Sequence, residues 1–234
     1  MERTRTVKDY LDLLDESTGL LLVGGQAVNL WAERYQAEEP AILEYQPFTS
    51  RDADFYRRAP KLRLPPNWTE LPLPTKGRMR IVTHALQGPE GQTAEVIRSV
   101  NGLTQQELED GSIAIEYGGR SMWFLVPAAL FQAKLANLKS IDQEGRQDLK
   151  HLKLLIPVTR CFFRDLLTQH TSSERLTRAI GWMSQHAKHA QEVIQLGYHD
   201  NADWNTFFPI ELMAEYPSQS VRNFTKYQLK PKNT

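Results

Sequence analysis

Two short stretches constrain this chain more than anything else in it: LVGGQAVN at 22–29 and FTSRDADF at 48–55. The first is an apolar run, a Gly-Gly step and the opening of a helical pattern. The second sets two acids, Asp52 and Asp54, one residue apart in a strand-like run. Strand alternation sends both carboxylates to one face and Ala53 and Phe55 to the other. Carboxylates this close repel each other, and proteins usually keep them because a cation sits between them. A Gly-Gly step at a helix start lets backbone amides approach a phosphate, and the helix N-terminus favours its charge. Gly24, Gly25, Asp52 and Asp54 together predict a site for a metal-bound nucleoside triphosphate.

The elements around these stretches predict an α+β fold. Residues 4–16 carry Val7, Tyr10, Leu11 and Leu14 at helical spacing, which predicts an amphipathic opening helix ended by Gly19. LLLV at 20–23 is short and wholly apolar, as a buried strand is, and a helix follows from Gln26 to about Glu38, with Pro40 just beyond. The stretch 57–76 holds five prolines and no period, so it reads as a loop or partly extended insertion. MRIVTHALQ and QTAEVIRSV flank GPEG as one hairpin, and GSIAIEY and SMWFLV flank a Gly-Gly-Arg turn as a second. Helical patterns then run over 127–138, 143–155, 158–170, 172–196 and 209–216. The expected organisation is a mixed sheet with flanking helices over residues 1–126, and a mostly helical region over 127–234 packing on it.

With these elements in order, the chain resembles the nucleotidyltransferase superfamily related to DNA polymerase β, and within it the branch of AbiEii-type toxins of bacterial toxin–antitoxin systems. The superfamily pattern is a strand, Gly-Gly or Gly-Ser, a helix, an acid-x-acid strand and a third acid on a later strand. Glu95 in QTAEVIRSV is the third-acid candidate, and VPAALFQAKLANL followed by GRQDLKHLKLL matches a lysine-bearing helix and an Arg/Asp-bearing helix. The resemblance covers roughly residues 18–156. It implies that Asp52, Asp54 and Glu95 are catalytic and hold two Mg²⁺ ions, with Glu95 as a possible base. It also implies that Gly24, Gly25, Gln26 and Lys134 bind the nucleoside triphosphate, and that Arg146 and Asp148 pair. The acceptor it implies is tRNA, and the further partner a cognate antitoxin protein. Gln26 stands where many relatives have serine or threonine, and His151 where many have a further aspartate; 37–47 reads as an insertion. Two alternatives stay open: a small-molecule transferase of the antibiotic-modifying kind, and a non-catalytic nucleotide- or partner-binding protein on the same fold.

Charge sharpens the acceptor question. Lys+Arg and Asp+Glu both number 28, so net charge argues for no bulk nucleic-acid affinity. Yet from Arg57 to Arg80 there are seven basic residues (Arg57, Arg58, Lys61, Arg63, Lys76, Arg78, Arg80) against Glu70, and after Glu215 the tail carries Arg222, Lys226, Lys230 and Lys232 with no acid. A basic segment of this kind suits an anionic acceptor and disfavours a cationic antibiotic, and a solvated loop explains it equally well. A single cysteine, Cys161, in apolar RCFF, excludes an internal disulfide framework and reads as a buried small hydrophobe. His186 and His189 lie one turn apart on a polar stretch and read as exposed, without a third metal ligand. No apolar run approaches a membrane span and the N-terminus has no signal-peptide core, so the expected location is cytoplasmic.

Overall fold

The mixed α+β class expected from the sequence is the one observed. The computed structural model describes residues 4–58, 61–73, 81–169, 172–200 and 203–229. In chain order its elements are β1 (Leu20–Val23), α1 (Gly24–Tyr35), β2 (Ala53–Arg57), β3 (Thr69–Leu71), β4 (Val82–Gln87), β5 (Thr93–Ile97), α2 (Gln105–Asp110), β6 (Ser112–Tyr117), β7 (Arg120–Leu125), α3 (Pro127–Ser140), α4 (Asp148–Thr168), α5 (Ser173–Gln195), α6 (Ile210–Glu215) and α7 (Gln219–Gln228). They divide into a unit of residues 1–34 and 46–126, and a unit of residues 35–45 and 127–234. The chain passes from the first to the second at Val126–Pro127, and the segment 35–45, expected with the first, belongs to the second. Among the described residues no helix is long and apolar enough to cross a membrane.

In the first unit the described strands form one seven-stranded sheet in the order β3-β4-β5-β2-β1-β7-β6. β2 lies at its centre, parallel to β5 and antiparallel to β1, and β1 in turn is parallel to β7. Leu20, Leu22, Phe55, Val96, Met122 and Phe124 share one face and are all buried. Each such side chain taken from water contributes about 1.5–3 kcal/mol, so this face holds the sheet in register. The four residues of β1 are buried on both faces, as an apolar inner strand must be. Trp31 of α1 donates its indole N–H to the Leu125 carbonyl at 2.9 Å, satisfying a buried donor at a strand end.

Two local expectations need correction here. The opening helix over 4–16 does not form. Val7–Tyr10 is a single 3₁₀ segment, and Glu16–Thr18 is another. The reason is upstream: Arg5 is held extended by paired backbone bonds to Ser50 (2.7 and 3.0 Å), and Asp9 closes the turn by accepting from the Thr6 amide at 2.7 Å. Val7, Tyr10, Leu13 and Leu14 still reach the core, through turns rather than a helix. The short helix α2 was not expected; Thr104 and Glu107 form a reciprocal capping box, the Thr104 amide donating to Glu107 at 2.8 Å and the Glu107 amide to Thr104 Oγ1 at 3.2 Å.

The second unit is helical. α3 packs on α4 and α5, and the 3₁₀ segment Pro40–Tyr45 packs on α4. The helices expected at 143–155 and 158–170 are one helix, α4, with Pro157 inside it. Proline removes one backbone bond there, but Leu154, Leu155, Ile156 and Val158 are buried around it and packing overrides the break. Arg160 and Arg164 of α4 pair with Glu39 and Glu38, and the Tyr35 hydroxyl donates to Asp165 at 3.0 Å, which ties 35–45 to this unit. α7, beyond the last expected helix at 209–216, is a further helix in this unit.

Candidate functional site

β2 is held between β1 and β5, with Asp54 opposite Val23 on one side and opposite Glu95 on the other. Paired positions on neighbouring strands put their side chains on the same face, about 4.8 Å apart across the ladder. Asp54 and Glu95 are therefore side by side although 41 positions separate them in the chain. The alternation along β2 runs as read from the sequence: Ala53 and Phe55 are fully buried, Asp54 and Tyr56 half-buried on the opposite face.

Gly24 completes this arrangement. Its φ of +67° is in the left-handed region, and a Cβ there would lie 2.9 Å from both Cβ and Cγ of Asp54 and closer still to Oδ2. The Asp54 carboxylate thus packs against the bare Cα at the start of α1, where only glycine leaves room. Gly25 is buried in the first turn of the same helix. The amide-bearing helix start and the acid are one contiguous feature.

Two sequence-assigned residues are placed differently. Asp52 precedes β2, whose first residue is Ala53, and is exposed in a bend; strand alternation does not govern it. Gln26 is fully buried, its Nε2 donating to the Arg5 carbonyl at 3.0 Å and its Oε1 accepting from Asn29 at 3.4 Å. The side-chain amide expected to face a phosphate instead anchors the N-terminal segment, because a buried amide takes whatever internal partner lies within reach.

Tyr10 went unrecognised in the sequence except as an apolar position. It is fully buried and its hydroxyl has no hydrogen-bond partner. Burial, then the charges of Asp52, Asp9 and Asp54, push its phenol well above the ordinary range, so it stays protonated. The only hint in the sequence was a tyrosine among aliphatic core positions.

Lys134 lies on α3 in the helical unit. Its Nζ donates to Asp148 Oδ1 at 2.8 Å, Arg146 Nε donates to Asp148 Oδ2 at 2.6 Å, and Asn137 adds a bond at 3.2 Å. Both Lys134 and Asp148 are buried. Burial alone would raise the Asp148 pKa, but Lys134, Arg146 and Asn137 outweigh it and bring it down to about 2. The Arg146–Asp148 pairing that the resemblance implied is thus present as an ion pair, with Lys134 as its third member. His151 is buried beside it, Nδ1 lacking a partner, and burial followed by the Lys134 charge lowers its pKa to about 3.

His186 corrects another expectation. Rather than exposed, it is fully buried, ringed by Phe131, Phe163, Phe207 and Phe208 at centroid distances of 4.6–6.2 Å. Neither ring nitrogen has a partner. Cys161 is buried as expected, and burial pushes its thiol up to about 11. Of the basic segment, Arg57, Arg58, Lys61 and Arg63 are exposed; Lys76, Arg78 and Arg80 lie outside the described residues, as do Lys230 and Lys232 of the tail.

Among the described residues no three His, Cys, Asp or Glu side chains are grouped to hold a metal ion by themselves. Asp54 and Glu95 are nonetheless a fitting pair for magnesium, which is usually bound by one or two carboxylates together with substrate phosphates. The cradle at Gly24 sets a helix start beside the same carboxylate, where such phosphates are accommodated. No protein-family model matches this chain, and no curated protein matches its sequence.

Proposed function

We propose that the chain is a Mg²⁺-dependent nucleotidyltransferase that moves a nucleoside monophosphate from a triphosphate to an acceptor hydroxyl. The observation that carries this reading is the position of Asp54, packed against Gly24 at the start of α1 and paired in register with Glu95. An amide-lined helix start and two adjacent carboxylates are what a triphosphate and its cation require. Magnesium, when bound by Asp54 and Glu95 with Asp52 near the strand start, neutralises charge on the phosphate oxygens. The chain's own groups do the rest. The α1 amides after Gly24 and Gly25 hold the triphosphate, and Glu95 accepts the proton of the acceptor hydroxyl. That oxygen forms a bond to the α-phosphorus, the bond from the α-phosphorus to its bridging oxygen breaks, and pyrophosphate leaves with the electron pair. We propose tRNA as the acceptor and a toxin–antitoxin or defence setting, with an antitoxin protein as partner, on the resemblance of the ordered motifs.

Incubation with each labelled triphosphate, Mg²⁺ and total tRNA tests it. The expected result is label in RNA with the wild-type protein, reduced on the order of 100-fold or more by Asp54→Asn. Full transfer by Asp54→Asn removes the assignment of the site. Label in a low-molecular-weight product instead of RNA moves the acceptor to a small molecule, and binding of triphosphate without any transfer makes the protein a nucleotide-binding one.

A further inference from the structure

The two edges of the sheet differ in how they are closed. β3, at one end, is three residues long, carries the Glu70–His84 pair at 2.8 Å and runs straight into Pro72. Shortness, charge and proline keep a free strand edge from pairing with other chains. β6, at the other end, is six residues long, contains no proline and pairs with β7 without a bulge. The phase of its backbone is fixed. The Val126 amide donates to the Gly111 carbonyl at 2.8 Å, just beyond the paired residues, and an antiparallel ladder bonds every second residue. Ile113, Ile115 and Tyr117 therefore spend their N–H and C=O groups on β7, and those of Ala114 and Glu116 point away from the sheet. Both of these residues are exposed, and among the described residues their backbones make no bond outside the ladder.

The side chains of β6 define what could lie beside it. Ile113 and Ile115 pair with Phe124 and Met122 on the buried face of the sheet, yet are themselves only half-buried, because among the described residues no strand lies beyond them. An extended segment laid along β6 would cover them with every second side chain. Its remaining side chains would stand on the opposite face, beside Ala114 and Glu116. The charge there is acidic: Glu116 is exposed on the strand, and Glu109 and Asp110 of α2 are exposed at its N-terminal end. The nearby cations are engaged, Arg120 with Asp12 at 3.6 Å and Arg58 over the Trp123 ring at 3.7 Å. A second copy of this chain would bring the same acids to the edge, so like charge weighs against self-pairing.

We propose that β6 is a docking edge for an extended segment of a protein partner in which cationic and β-branched residues alternate. The segment continues the sheet by one strand. Its backbone takes up the outward N–H and C=O groups of Ala114 and Glu116, which supplies affinity whatever its side chains are. Its β-branched residues close over Ile113 and Ile115, and a lysine or arginine stands beside Glu116. Glu116 is what makes the edge selective: it repels an acidic strand, gains nothing from a neutral one and pairs with a basic one. The proposal is independent of the transferase reading, because neither Ala114 nor Glu116 belongs to the site at Gly24, Asp54 and Glu95.

The test uses the full chain and a labelled peptide of alternating lysine and valine, followed by fluorescence anisotropy and by amide hydrogen exchange. The peptide should bind saturably, and one of alternating glutamate and valine at least about tenfold more weakly. In the free chain the Ala114 and Glu116 amides should exchange fast and those of Ile113 and Ile115 slowly, and the lysine peptide should slow the first pair. Ala114→Pro removes an N–H that the fold does not use, and should weaken binding by about tenfold or more with little change in melting temperature. Ala114→Lys, which sets a cation on the edge and keeps the N–H, should weaken it as well and decides the matter if the proline variant does not fold. Glu116→Lys should weaken binding by roughly 2- to 10-fold and flatten its salt dependence. Absence of binding at low salt, equal binding of the two peptides, slow exchange at Ala114 and Glu116 in the free chain, or wild-type affinity in both Ala114 variants overturns the proposal. So does a dimer of the chain that Ala114→Pro abolishes, since the edge would then belong to a second copy.

Discussion

A buried imidazole with neither nitrogen satisfied makes the helical unit acid-sensitive in a calculable way. His186 is held neutral by burial, with a smaller contribution from His189, and its pKa falls to about 3 from an ordinary 6.5. The unfolded chain therefore takes up this proton near pH 6.5 while the folded chain does not, and stability is full above that pH and lost as pH falls towards 3. Between about pH 7.5 and about pH 5.5 the loss from this one group is about 1.4 kcal/mol. His151, also lowered to about 3 by burial and then by Lys134, adds a second loss of the same sign and about the same size. His186→Leu removes the first share and leaves the second. At neutral pH it should also gain about 1–3 kcal/mol, since two unpaired nitrogens no longer sit among Phe131, Phe163, Phe207 and Phe208. Urea denaturation followed by circular dichroism at the two pH values measures both effects. His186 and His151 together should account for about 2.7 kcal/mol of the wild-type loss on acidification, and His186→Leu should lose about 1.4 kcal/mol less than wild type. An equal loss in the two proteins would show that His186 finds a proton partner the structure lacks, and would refute the reasoning.

Two further perturbations probe the packing within each unit. Gly24→Ala forces a left-handed residue with a Cβ into the Asp54 carboxylate, and should cost about 2 kcal/mol or more together with most transfer activity; a melting temperature equal to wild type would contradict the cradle. Lys134→Ala leaves Asp148 buried with Arg146 as its remaining charged partner, and should destabilise the protein by about 3–5 kcal/mol in urea titration, where a surface-like change of under about 0.5 kcal/mol would contradict a buried pair.

Much of this protein is legible in its sequence because the relevant physics is local. The alternation of Ala53–Tyr56, the wholly apolar β1, the Gly-Gly step that opens α1 and both hairpins follow from side-chain period and turn chemistry within a few residues. Where the sequence misleads, a distant partner decides. Val7, Tyr10 and Leu14 have helical spacing, but the extended pairing of Arg5 with Ser50 turns the segment into 3₁₀ turns. Pro157 signals a break, but the packing of α4 against α3 and α5 carries the helix through it. Gln26 and His186 read as polar and available, yet both are sealed in the interior, since burial depends on which elements meet and not on the residue's own polarity. The acids show the division most clearly. Asp54 and Glu95 are each visible as an acid in a strand, but only the parallel pairing of β2 with β5 makes them neighbours, and only the fold of α1 onto β2 sets Gly24 beneath the carboxylate. Sequence determines which residues can face one way along a strand; the order of strands in the sheet decides which of them meet, because ladder pairing joins segments whose separation along the chain leaves no local trace.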